Sequence, residues 1–153
     1  MMFRPMRRID KQMSDSDTLA LLKRGQEGIL GTISENGYPY TLVVNYVYYN
    51  NKVYFHSALE GHKIDNIRSN DKVSFTVYDN VEVVGEELNT YYQSLTLFGK
   101  AKVIDATYDI LMALIKKYAN IPDNIANEMI QKEIAITAVV EIEIMHMTGK
   151  IGK

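Results

Sequence analysis

V-Y-F-H-S-A-L-E-G-H-K, residues 53–63, changes character halfway along its length. Val53, Tyr54 and Phe55 are strand formers, branched or aromatic side chains that fit a pleated, half-buried surface. His56, Ser57, Gly61, His62 and Lys63 then bring an imidazole, a hydroxyl, an exposable backbone, a second imidazole and an ammonium into a few positions. The run H-K-I-D-N-I-R that begins at His62 reads as a short helix. A strand, a donor-rich turn and a helix start in that order suit a bound phosphate, because free N–H groups at a helix N-terminus and a nearby cation both favour an anion. The competing reading is an ordinary exposed turn and helix start. The residues alone leave both open.

The 153 residues around this stretch bound what it can belong to. The length suits one domain, and a 46% hydrophobic content is enough for a core. A net charge of −2 gives no overall attraction to nucleic acid or anionic lipid. Cysteine is absent, which removes disulfides, thiolate ligands and a cysteine nucleophile and suits a reducing compartment. No apolar run reaches the roughly 20 residues of a membrane helix. The N-terminal M-M-F-R-P-M-R-R lacks the apolar segment of a secretory signal. A cytoplasmic protein is expected. Eleven tyrosines, many in strand-like runs, suggest an amphipathic interface as well as a core.

Outward from the central stretch, the chain reads as hairpins. Residues 1–13 form a basic arm with Arg4, Arg7, Arg8 and Lys11, either a solvated terminus or a phosphate or partner contact. A single domain, 14–153, follows. Ser14 caps a helix to Arg24, with Asp15 and Asp17 in its first turn and Gly25 as its stop. Gly28 to Ile33 is a strand, and the turn after it uses Gly37. Thr41 to Tyr49 reads as one long strand, turning at Asn50-Asn51 into Lys52 to His56. Alternation puts Leu42, Val44, Tyr46 and Tyr48 on one face of the long strand and Val43, Asn45 and Val47 on the other. Asn45 either satisfies a local backbone group or aims at a ligand. Asp71 to Tyr78 is a strand that continues past a bulge through Val81 to Val84. Tyr91 to Ile104 is a long strand in which Gly99 suggests a second bulge or a close backbone approach. Asp105 is expected to cap a helix over Thr107 to Tyr118, and Asp123 to Lys132 forms another after Pro122. Thr137 to Met147 is the last strand, with Val140, Ile142 and Ile144 inward and Glu141 and Glu143 outward. Few helices and many hairpins favour a small closed or partly closed antiparallel barrel over a parallel sheet.

Most chemistries find little support. The three histidines, His56, His62 and His146, include no pair at helical i, i+4 spacing, so a metal site is disfavoured. Ser57 adjoins His56, but neighbouring strand residues point to opposite faces, and no G-x-S-x-G elbow is present. Walker A and G-x-G-x-x-G sequences are absent too. Phosphate-ligand binding remains.

The chain resembles the FMN-binding split barrels of the pyridoxamine 5′-phosphate oxidase-like superfamily, and within it the 5-nitroimidazole-resistance (Nim-type) nitroreductases. The match is carried in order by M-R-R-I-D-K from Met6, G-I-L-G-T-I-S-E-N-G-Y-P-Y from Gly28, Y-F-H-S-A-L-E-G-H-K from Tyr54, D-K-V-S-F-T-V from Asp71 and Y-Q-S-L-T-L-F-G-K-A from Tyr92. The H-S-A-x-x-G-x-K core is its most specific part. A proline common near Val43 or Val44 in related sequences is absent, and so is the C-terminal basic substrate set of a true pyridoxamine 5′-phosphate oxidase.

The resemblance implies a mainly β fold with peripheral helices, a six-stranded antiparallel split β-barrel, and a homodimer with FMN at the interface. It implies that Ser57, His62 and Lys63 hold the FMN phosphate and that His56 lies near the flavin as the residue of proton or substrate contact. Val43, Val44 and Asn45 would run along the isoalloxazine edge, with Gln93 and Ser94 approaching from the second long strand, across the dimer. The implied activity is flavin-dependent reduction of a small planar acceptor, such as a nitroimidazole or nitroaromatic, with electrons from NAD(P)H. The alternative is a flavin, haem or deazaflavin binding module without turnover, since fold does not fix function. No nucleic-acid or membrane partner is expected.

Overall fold

Turn chemistry and strand alternation, as they appear in the computed structural model, account for the order in which the strands meet. The structure describes residues 2–152; Met1 and Lys153, the outer ends of the expected arm and domain, lie outside them. The elements in chain order are α1 (Asp15–Arg24), β1 (Gly28–Ile33), β2 (Pro39–Val44), β3 (Val47–Tyr49), β4 (Lys52–Ala58), α2 (His62–Ser69), β5 (Lys72–Val84), β6 (Asn89–Asp105), α3 (Tyr108–Tyr118), α4 (Asp123–Glu133) and β7 (Thr137–Gly152). All pairings are antiparallel, in the order β2-β1-β5-β6-β7-β4-β3. Asn50 and Asn51, with φ of 50° and 62°, make the two-residue turn between β3 and β4, as a tight hairpin requires.

The sheet has seven strands, where six were expected. The difference lies in residues 39–49, of which Thr41 to Tyr49 reads from sequence as one strand. Its first part pairs with β1 and its last part with β4, and Asn45 and Tyr46 between them join neither ladder. The chain therefore steps straight from one edge of the sheet to the other. The two edges must be neighbours, and the sheet closes as a split barrel of the expected class.

Alternation along β4 divides the buried residues between two clusters. Val53 and Phe55 face the barrel interior with Leu30, Tyr46, Phe75, Val77, Leu95, Leu97 and Ile142, capped by Leu21 and Leu22 of α1 and Ile64 and Ile67 of α2. Tyr54 faces outward, where Val47 and Val139 meet Ile110, Leu111 and Leu114 of α3 and Ile130 of α4. Fully burying a side chain of this size contributes roughly 1.5–3 kcal/mol.

Several boundaries differ for physical reasons. Asp105 does not cap α3; it is the last residue of β6, paired with Ala138, and Thr107 is the cap, its hydroxyl accepting from the Ile110 N–H at 3.4 Å. The last strand passes Met147 and pairs with β6 out to Gly152. Glu141 is not a solvated outward residue: it accepts from Tyr54 Oη at 3.0 Å and Lys52 Nζ at 3.1 Å, with Lys102 Nζ at 3.4 Å. Burial raises its carboxyl, but these partners outweigh burial and hold it below the usual range. Ser14 caps α1 by accepting from the Asp17 N–H. Both expected irregularities are present, one between Asp79 and Glu82 of β5 and one at Phe98/Gly99 of β6. Residues ahead of α1 lie on the barrel: Phe3 stacks on His146 and Phe98, at 5.0 and 5.6 Å between ring centroids, and Gln12 bridges to Lys150. No described helix is long and apolar enough to cross a membrane.

Candidate functional site

The strand–turn–helix stretch is built as its sequence suggests. β4 ends at Ala58, and α2 starts at His62 after Gly61, whose φ of 149° disfavours any residue with a side chain. No side chain caps α2, and the space where a Cβ at Gly61 would stand is open. The first N–H groups of the helix are therefore available to a ligand. Ser57, on the interior face of β4 with Val53 and Phe55, is buried, and its hydroxyl has no hydrogen-bond partner. A buried orphan hydroxyl is uncommon, since leaving one unmet costs about 1–3 kcal/mol. Lys63 is half-buried on the first turn of α2. A hydroxyl, free helix N–H groups, an imidazole and an ammonium fit a phosphate.

A polar network fixes His62. Its ring lies 4.0 Å from that of Tyr40 on β2, and its Nε2 is 3.1 Å from Ser34 Oγ. Asn66 Nδ2 donates to Ser34 Oγ at 3.2 Å and to Thr32 Oγ1 at 3.0 Å, and Thr32 donates to the Tyr40 carbonyl. Ser34 Oγ, which accepts from Asn66, can still either give its proton to Nε2 or accept from it, so one ring nitrogen is engaged and Nδ1 is left for another partner. Ser34, Glu35, Asn36, Asp65 and Asn66 line a crevice of about 270 Å³ with His62. Its two carboxylates oppose an anion there, which favours the Ser57 and Lys63 side. None of Thr32, Ser34, Tyr40 or Asn66 stood out in the sequence. The S-E-N-G turn showed as a turn and as part of the resembling stretch from Gly28, with no site role, and Asn66 only as part of a helix.

From Tyr40 the edge strand β2 leads away to the expected ring-edge residues. Val43 is 66% exposed, so this apolar side chain is left uncovered on an edge strand. Val44 points the other way and packs against the core. Asn45 is exposed, and its Nδ2 donates to the Gln26 carbonyl at 3.0 Å, so part of its amide satisfies a local backbone group. Gln93 and Ser94 sit side by side on β6, opposite Asp79 and Tyr78 of β5. Gln93 Oε1 accepts from Arg24 at 2.7 Å, and Arg24 also pairs with Asp79 at 2.6 Å, leaving the Gln93 NH₂ as the free donor.

His56 is not brought to the cradle. It alternates with Ser57 and lies on the other face of β4, exposed, at a crevice of about 310 Å³ lined by Leu111, Leu114 and Ile115 of α3 with Met129, Ile130 and Glu133 of α4 and Thr137. Among the described residues no group of histidine, aspartate and glutamate side chains could hold a metal ion.

Comparisons with known proteins agree with this architecture. The sequence profile of the Pyridoxamine 5′-phosphate oxidase family matches residues 14–151. No curated protein matches the chain. Among solved structures, a candidate 5-nitroimidazole antibiotic resistance protein of Bacteroides thetaiotaomicron is 20% identical, with a TM-score of 0.72 over 92% of this chain and 86% of its own. A conserved hypothetical protein of Mycobacterium tuberculosis is 16% identical, with a TM-score of 0.82 over 95% of this chain and 90% of its own. The FAD and heme binding protein of Mycobacterium smegmatis is 20% identical, with a TM-score of 0.73 over 94% of this chain and 74% of its own. At these identities the likeness establishes a shared fold. With the profile spanning nearly the whole chain, the split barrel described above is that of a member of the Pyridoxamine 5′-phosphate oxidase family.

Proposed function

We propose that this protein is an FMN-dependent reductase of a small planar acceptor, with a nitroimidazole or nitroaromatic as the acceptor class and NAD(P)H as the electron source. One observation carries the reading: a buried, partnerless Ser57 hydroxyl in the segment that leads into an uncapped helix N-terminus. Ser57, His62 and Lys63, with the N–H groups at the start of α2, hold the phosphate. Val43, Val44 and Asn45 lie along the ring edge, and Gln93 and Ser94 contribute polar contacts. Bound FMN would supply the redox chemistry, accepting a hydride from the nicotinamide and delivering electrons to the acceptor. The protein binds, orients and excludes water. His56 is the proposed proton or substrate contact; its place on the opposite face of β4 from Ser57 suits a role other than holding phosphate.

The same reading makes the protein a cytoplasmic homodimer with the cofactor between subunits. Exposed Val43, Tyr78, Val81, Val83 and Leu88 on or beside the strand edges supply apolar surface for a second copy. Light scattering that returns a monomer at micromolar concentration would remove that part.

The visible spectrum of the purified protein tests the rest. Two flavin bands that bleach with NADH or NADPH and return with a nitroimidazole support the reductase. A colourless protein that FMN does not reconstitute rejects it. Replacing His56 by Ala should lower turnover more than flavin retention, and equal loss of both makes it a cofactor ligand. The position of His56, away from the cradle, also favours a second reading, a binding module without turnover. Bound flavin that no nicotinamide reduces would select it.

A further inference from the structure

The step from β2 to β3 is held from a distant part of the chain. Tyr46 N–H donates to the Tyr118 hydroxyl at 3.0 Å, and the Tyr46 carbonyl accepts from Lys117 Nζ at 2.9 Å. The Tyr118 hydroxyl is also 2.9 Å from that carbonyl and 2.7 Å from the carbonyl of Gln26, which accepts from Asn45 as well. One phenol thus receives the Tyr46 amide while its single proton serves these carbonyls. The Lys117 ammonium stands 3.7 Å from the centroid of the Tyr46 ring, close enough for a cation–π contact. That ring is itself fixed by its hydroxyl on the Leu22 carbonyl at 2.6 Å.

These contacts explain how the strand can break where it does. Asn45 and Tyr46 belong to neither ladder, and backbone groups buried without a partner are costly. The last turn of α3 supplies partners to both polar groups of Tyr46. The bend then sets the direction in which β2 arrives, and β2 carries Val43, Val44 and Asn45.

We infer that Lys117 and Tyr118 are positioning residues that fix the bend at Asn45–Tyr46 and thereby aim the edge of β2 at the bound ring. The inference rests on the FMN reading for its functional half and on the bend alone for its structural half. Tyr118→Phe, Lys117→Met and Lys117→Arg separate the two. Hydrogen exchange of the cofactor-free proteins reads the bend. Loss of the phenolic acceptor should speed exchange of the Tyr46 amide by about tenfold, with amides of β5 and β6 unchanged. Visible absorption, reduction potential and FMN affinity read the ring. Tyr118→Phe and Lys117→Met should shift the flavin bands and potential and weaken FMN several-fold, with Lys117→Arg close to wild type.

Unchanged exchange at Tyr46 overturns the inference. So does faster exchange with the spectrum, potential and affinity of bound FMN unaltered, since the two residues would then be merely structural. If the wild-type protein takes up no FMN, the FMN reading fails, and exchange at Tyr46 alone decides the structural half: faster supports it, unchanged rejects it.

Discussion

At the start of α2 the chain leaves polar groups without partners, whereas at the Asn45–Tyr46 bend it brings partners in from another element. The cradle is contiguous: Ser57, Gly61, His62 and Lys63 fall within one short run, with a buried hydroxyl unmet and a helix uncapped. The bend is assembled across the chain, with Tyr46 meeting a hydroxyl 72 positions away and an ammonium 71 positions away. Open donors that cost stability suit a ligand. A place that satisfies its backbone groups is shaped to stay still. The two lie at opposite ends of β2, with His62 against Tyr40 at one end and Tyr118 against Tyr46 at the other.

The largest effect should come from breaking the bend. Tyr46 is fully buried, stands edge-on to Phe75 at 5.0 Å and holds Leu22 through its hydroxyl. Tyr46→Ala should cost about 3–5 kcal/mol in urea unfolding, the range for removing a buried aromatic ring. Tyr46→Phe keeps the ring and leaves the Leu22 carbonyl unmet, at roughly 1–2 kcal/mol. Equal losses in the two variants would mean that the hydroxyl, not the ring, holds the bend.

The same contrast explains what could be read from the sequence. Local features were legible because their causes are local: the Ser14 cap, the Asn50-Asn51 turn, the Gly99 bulge and the strand–turn–helix segment from β4 to α2. The break after Val44 was not, because Thr41 to Tyr49 alternates as cleanly as an uninterrupted strand. Its backbone at Tyr46 is met by Lys117 and Tyr118, the last residues of a helix that nothing in the sequence links to this strand. Likewise Ser34 and Asn66 meet at His62 only once β1 and α2 are folded together. Glu141 reads as an outward residue until its register opposite Tyr54 is known. The divided faces of β4 could be read in advance, and the place where His56 ends up could not.

At the cradle the expected loss is in binding rather than stability. Lys63→Ala removes an ammonium from the phosphate, and hydrogen bonds to charged groups contribute about 1.5–3 kcal/mol, or roughly 10–150-fold in the FMN dissociation constant. Unfolding free energy should change by less than about 1 kcal/mol, because half-buried Lys63 makes no side-chain hydrogen bond or ion pair among the described residues. Fluorescence titration with FMN and urea unfolding of the cofactor-free protein measure the two. A variant that loses stability but keeps its affinity would turn the cradle into a second structural anchor.

Lys117 gives the bend a pH signature. Burial pushes its ammonium down to about 8 from an ordinary 10.5. Between those values the unfolded chain holds more protons than the native one, so stability must rise with pH there. Above about 10 the trend reverses, because burial pushes the Tyr46 and Tyr118 hydroxyls up and the unfolded tyrosines ionise first. Wild-type stability should therefore climb from pH 8 to near 10 and then fall. Lys117→Met should flatten the climb and keep the fall. A climb that survives in Lys117→Met belongs to some other group.

The smallest change should be the most diagnostic. Ser57 is buried with an unmet hydroxyl, so Ser57→Ala removes an unfavourable group and leaves the packing of Val53 and Phe55 in place. A structural serine would lose stability on this change. One kept for a ligand should leave the cofactor-free protein as stable as before, or more stable by up to about 1 kcal/mol. The same substitution should weaken FMN, because the phosphate loses a buried donor that no water replaces at equal strength. Opposite signs in the two measurements, from deletion of one oxygen, are what separate a binding group from a structural one. If both move down together, Ser57 joins Tyr46 as part of the frame, and the cradle rests on Lys63 and the helix N–H groups alone.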